Sequence, residues 1–60
     1  MSSGQEMQQI KELTQMLTEM DMANMYSDKY IVEAVRLNPG NNQQAMDSLL
    51  SGEVEAHISN

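Results

Sequence analysis

No cysteine occurs in this chain, which excludes a disulfide framework and a thiolate-held metal site. The expected compartment is accordingly a reducing one, the cytoplasm, with the nucleus as the alternative. Phenylalanine and tryptophan are also missing, and the two tyrosines Tyr26 and Tyr30 are the only aromatics. Methionine and leucine must therefore do most of the packing. Basic residues are scarce: Lys11, Lys29 and Arg36 stand against nine acidic residues, for a net charge of −6. A nucleic-acid binder needs a basic footprint to displace counterions from phosphate, and this chain has none. The same deficit disfavours an anionic membrane surface. No apolar run approaches the roughly 18 residues that a membrane span requires, so no membrane insertion is expected. The first residues, Met-Ser-Ser-Gly-Gln-Glu, lack the basic start and apolar core of a secretion signal.

Sixty residues make one small domain, near the lower size at which a chain folds unaided. Seven of them are methionine, a flexible, polarizable side chain that is over-used on adaptable binding surfaces. The acidic balance favours solubility and partners with a basic face.

Helical periodicity is clearest over residues 7 to 20. Ile10, Leu13, Leu17 and Met20 fall on one face with Met16 beside it, as an amphipathic helix requires. Residues 21 to 26 lose that period and read as a loop holding Met22 and Met25. Ser27 is a suitable N-cap, and Asp28 follows where a helix favours negative charge. Ile31, Ala34, Val35 and Leu37 form the inner face of a second helix ending near Asn38. Pro39-Gly40 then breaks the chain, and Asn41 or Asn42 can cap a third helix. Ala45, Met46, Leu49 and Leu50 form its apolar stripe, and Gly52 stops it. Adjacent helical positions lie about 100° apart, so Leu49, four residues after Ala45, points inward and Leu50 outward. Residues 1–6 are expected to be disordered and residues 53–60 a flexible, frayed acidic tail. The domain proper spans 7–52.

Catalytic chemistry finds little support. His57, the only histidine, sits in the acidic tail and reads as solvated rather than as a general base. The serines have no histidine and acid arranged to activate them. Glu53 and Glu55 could hold a metal near His57 only loosely. Neither a P-loop nor a dinucleotide fingerprint is present. No enzyme activity, cofactor or metal site is expected.

The string Ala45-Met46-Asp47-Ser48-Leu49-Leu50-Ser51-Gly52-Glu53-Val54, preceded by Gly40-Asn41, resembles the third helix of ubiquitin-associated (UBA) domains. Those domains typically read Gly-Asn, a few residues, Ala, three residues, Leu-Leu, then Gly. Ile31 to Asn38 resembles their second helix, with Ala34-Val35 in place of an Ala-Leu pair. UBA domains carry Met-Gly-Phe or Met-Gly-Tyr after helix one, and the related CUE domains carry Met-Phe-Pro. Met20-Asp21-Met22 takes that place here if Leu13, Leu17 and Met20 keep their inward spacing. Counting back from Ala34 puts Asn24-Met25-Tyr26 there instead. The glycine is missing in either register.

The resemblance implies an all-α fold, a compact three-helix UBA-like bundle. It also implies a monomer that binds ubiquitin or polyubiquitin weakly, in a protein of trafficking or degradation. The implied ubiquitin-binding residues are Met20, Asp21, Met22, Met46, Asp47 and Leu50, at the helix 1–2 loop and the end of helix three. The alternative is a UBA-like scaffold that docks a different protein. Self-association through exposed methionines is a weaker third reading.

Overall fold

The computed structural model describes residues 3–59, which form four α-helices and no strand among them. The helices are α1 (Ser3–Glu19), α2 (Asp28–Leu37), α3 (Asn42–Leu50) and α4 (Glu53–Ser59), with a 3-10 turn at Ala23–Met25. α2 packs against the other three, and α1 and α4 each also contact α3. The fold is thus all-helical, with one helix more than three.

α1 is the longest element because straight-chain Gln, Glu, Lys, Met and Leu dominate it, all good helix formers. It begins at Ser3 rather than near residue 7. Glu6 lies in the first turn, where negative charge is favoured, and Arg36 of α2 donates to its carboxylate across 3.3 Å. Most of the segment expected to be disordered is therefore helical; Met1 and Ser2 lie outside the described residues.

Nine apolar side chains form the core: Leu13 and Leu17 of α1, Ile31, Ala34 and Val35 of α2, Ala45, Met46 and Leu49 of α3, and Val54 of α4. Ile10 and Met16 pack partly buried against this cluster. Complete burial of a Leu, Val or Ile side chain contributes about 1.5–3 kcal/mol each. Leu37, expected on the inner face, is exposed at the last position of α2.

The α2–α3 connection is held by side-chain amides. Asn38 caps α2 with its backbone N–H, which donates to Ala34 O and Val35 O, and with its Nδ2, which donates to Ala34 O. Gly40 takes a φ of +76°, a conformation open to glycine without strain. Asn41 Oδ1 then accepts from the Gln44 N–H at 3.1 Å, the cap that starts α3. Ser27 occupies the N-cap position of α2 without a side-chain capping bond.

Gln9, on α1, braces this turn. Its Nε2 donates to Asn38 O and its Oε1 accepts from the Gly40 N–H, both at 2.9 Å. From Asn38 the chain of hydrogen bonds continues through Nδ2 to Ser48 Oγ and from Ser48 Oγ to Glu53 Oε2, each 3.1 Å. One polar thread therefore links all four helices. Ser48 is buried, so these bonds satisfy a group whose desolvation would otherwise cost about 1–3 kcal/mol.

Of the residues expected as a frayed tail, 53–59 differ most from the sequence reading; Asn60 lies outside the described residues. Gly52, at φ +85°, ends α3 and turns the chain directly into α4. Val54 is fully buried there and Ile58 packs against the core. A helix of seven residues has little intrinsic stability; docking onto α2 and α3 holds it. His57, expected to be solvated, places Nδ1 3.0 Å from Glu33 Oε2 on α2 while remaining half-exposed.

Candidate interaction face

The face is built where α1 ends. Its last turn closes with the Met22 N–H donating to Leu17 O at 2.8 Å and the Asp21 N–H donating to Thr18 O at 3.0 Å. Such a closure needs a left-handed residue between helix and loop. Here it is Asp21, at φ +59°, the one non-glycine residue with positive φ among those described. Aspartate tolerates this region better than most residues because its short side chain can bond locally.

The turn reverses the side chains around it. Met22 folds back, partly buried against the core, beneath which Leu17 is fully buried. Met20 is left 50% exposed at the helix end, and Met25, on the 3-10 turn, 66% exposed. The inward spacing expected for Met20 fails because α1 stops at Glu19, one residue before that side chain could rejoin the stripe.

Tyr26 joins this loop to the end of α3. Its phenolic O–H donates to Leu49 O at 3.2 Å, a helix-terminal carbonyl that also accepts from the Gly52 N–H at 3.3 Å. The residue after Met25 thereby touches the residue before Leu50. Leu49 is 3% exposed and Leu50 is 47% exposed, the inward and outward orientations expected of the pair. Asp47 is exposed one turn before Leu50.

Of the six residues expected on this face, Met20, Asp21, Asp47 and Leu50 are exposed and Met22 is partly so. Met46 does not belong to it. At 6% exposure it lies in the core with Ala45 and Leu49, since α3 turns that stripe toward α1 and α2. Met25 is exposed on the same loop as Met20, and Tyr26 reaches Leu49 from it. Met25 stood out in the sequence only as a methionine outside the helical period, and Tyr26 as one of two aromatics.

The electrostatics are one-sided. Residues 19–28 and 41–56 contain no lysine or arginine; exposed Asp21 follows Met20 in the chain, and exposed Asp47 precedes Leu50 by three residues. An apolar centre with an acidic rim suits a partner whose apolar patch has basic surroundings.

A separate groove of about 800 Å³ lies between the first half of α1 and the α2–α3 turn, lined by Gln5, Gln8, Gln9, Glu12, Val35 and Pro39 among others. Its walls mix amide, charged and apolar side chains, and the Gln9 amide is already committed to the turn. Asn42 Oδ1, also at this groove, is buried without a hydrogen-bond partner. Among the described residues no three His, Cys, Asp or Glu side chains are grouped to hold a metal ion. Among the described residues no helix is long and apolar enough to cross a membrane.

Compared with known proteins, the chain matches no family model, no curated protein and no solved structure.

Proposed function

We propose that this chain is a non-catalytic, UBA-like interaction module that binds ubiquitin weakly through Met20, Met25 and Leu50, with Asp21 and Asp47 at the rim. One observation carries the reading. Asp21 stands where the UBA motif has its glycine, and it adopts the left-handed conformation for which glycine is the unstrained residue. That geometry favours the register in which Met20-Asp21-Met22 fills the motif, over the one that uses Asn24-Met25-Tyr26. The Tyr26–Leu49 hydrogen bond supports the same reading, since it brings that loop to the end of α3.

Docking would cover a few apolar side chains, with carboxylates meeting basic groups around the partner's apolar patch. A face this small belongs to the weak, transient class, under about 1,200 Å² of total buried area. Useful occupancy then comes from tandem copies or a polymeric ligand, which raise the effective concentration. Such a module serves proteins of trafficking or degradation, in the cytoplasm or nucleus.

Titration of isotope-labelled ubiquitin with the unlabelled chain, followed by NMR, tests the proposal. Shifts confined to one apolar patch of ubiquitin are expected, and silence at millimolar concentration would end it. A second reading, the same fold docking a protein other than ubiquitin, is favoured by the aspartate at the glycine position. It predicts that silence, together with capture of a different partner that Leu50→Ala abolishes.

A further inference from the structure

The six methionines among the described residues divide sharply by environment. Met46 is in the core, and Met16 and Met22 pack against it partly buried. Met20 and Met25 are exposed, and neither belongs to the core cluster. They also straddle the left-handed turn at Asp21, on the face argued above to dock a partner. Met7 is exposed too, but thirteen residues earlier on α1, about 20 Å away along a helix rising 1.5 Å per residue.

We propose that Met20 and Met25 are a peroxide-sensitive modification site, at which conversion to methionine sulfoxide switches off docking while the fold is kept. The inference rests on the interaction face proposed above. The chemistry is direct. A thioether sulfur attacks one oxygen of hydrogen peroxide, an S–O bond forms, the O–O bond breaks, and the leaving hydroxide takes the proton of the transferred oxygen and departs as water. Sulfur is oxidised by two electrons and the peroxide reduced by the same two. The product is polar and chiral where the sulfide was flexible and apolar. On a face whose apolar area is little more than Met20, Met25 and Leu50, two such changes remove most of the surface a partner would bury.

Selectivity follows from access. Peroxide reaches the sulfurs at Met20 and Met25 without any opening of the fold, whereas Met46 can react only after α3 separates from α1 and α2. The fold loses nothing in the process, because its packing is supplied by Leu13, Leu17, Val35, Leu49 and Val54. Sulfoxide is reducible enzymatically, so the switch can reverse.

The test treats the folded chain with increasing hydrogen peroxide and follows four quantities: oxidised positions by peptide mass mapping, helicity by circular dichroism, retention on a hydrophobic-interaction column, and ubiquitin binding by NMR. The double variant Met20→Leu/Met25→Leu is run in parallel, each protein being compared with its own untreated form. In the parent, Met7, Met20 and Met25 should each gain one oxygen before Met46 does, with helicity unchanged. Retention should drop and ubiquitin affinity should fall about tenfold, the scale of a moderate hot spot. In the double variant, which still oxidises at Met7, retention and affinity should hardly move. Oxidation of Met46 in step with Met20 and Met25, loss of helicity in the same step, or an equal response from the double variant would overturn the inference. If the untreated chain fails to bind ubiquitin, the docking proposal falls instead. The retention difference between parent and double variant then decides the modification site alone.

Discussion

If the proposed face is correct, Leu49 and Leu50 should separate folding from recognition within one dipeptide. Leu49 is 3% exposed among the helices, so Leu49→Ala removes buried methyl groups and leaves a cavity, at a cost of about 2–5 kcal/mol. A domain of sixty residues has about 3–9 kcal/mol of stability in all, at about 0.05–0.15 kcal/mol per residue. The substitution therefore consumes a large share of it. At about 4–8 °C per kcal/mol for a domain of this size, the melting temperature should fall by roughly 10 °C or more. Leu50 is half exposed, so Leu50→Ala forfeits about half of a full leucine burial, near 1 kcal/mol. The better helix propensity of alanine offsets a few tenths of that. Its melting temperature should stay within a few degrees of the parent, while ubiquitin binding weakens by about 1 kcal/mol or more. Thermal unfolding followed by circular dichroism and NMR titration of each variant give the two axes. If Leu50→Ala unfolds the domain while Leu49→Ala melts like the parent but no longer binds, α3 is rotated from the orientation described. If both variants fold and bind like the parent, the face lies elsewhere.

Gln9→Ala removes both amide bonds to the α2–α3 turn and should cost about 1–3 kcal/mol; denaturant unfolding measures it, and an unchanged midpoint would contradict the bracing role. Asp21→Gly should leave stability equal or raised by up to about 1 kcal/mol, since relief of left-handed strain of about 1–2 kcal/mol is partly offset by unfolded-state entropy of about 0.4–1 kcal/mol. Asp21→Val should destabilise, because a branched side chain suits that φ least; thermal melts should place the glycine variant at or above the parent and the valine variant below it. Asp47→Lys should weaken ubiquitin binding with little change in melting temperature, and the loss should be greater at low ionic strength, where charge is least screened.

Much of the helical frame was legible because its residues obey period and punctuation together. Leu13 and Leu17 repeat on one helical face, Ile31, Ala34 and Val35 on another. Asn41, Gly40 and Gly52 mark their boundaries by capping chemistry and backbone freedom. The orientation of Leu49 and Leu50 followed from helical angle alone. What escaped was structure made by tertiary contact. Val54 and Ile58 are two apolar residues in an acidic stretch, too few to signal a helix, and α4 exists because Val54 finds a fully buried place. The first turn of α1 gave no apolar signal either, being polar and tied by the Glu6–Arg36 pair. On the candidate face, the inward position expected of Met20 fails where α1 ends one residue before it. Met46 was placed on the face although its neighbours Ala45 and Leu49 carry it into the core. The polar thread from Gln9 to Glu53 spans all four helices, and no local pattern announces bonds between residues so far apart in sequence.

The most direct measurement of the central claim labels the chain itself and titrates it with unlabelled ubiquitin, so that the backbone amides report where contact occurs. The largest shift changes should fall on residues 20–26 and on Asp47 to Ser51, with Gln5, Gln8 and Glu12 at the groove beside α1 unmoved. Shift changes centred on that groove, or spread evenly over all four helices, would contradict that claim.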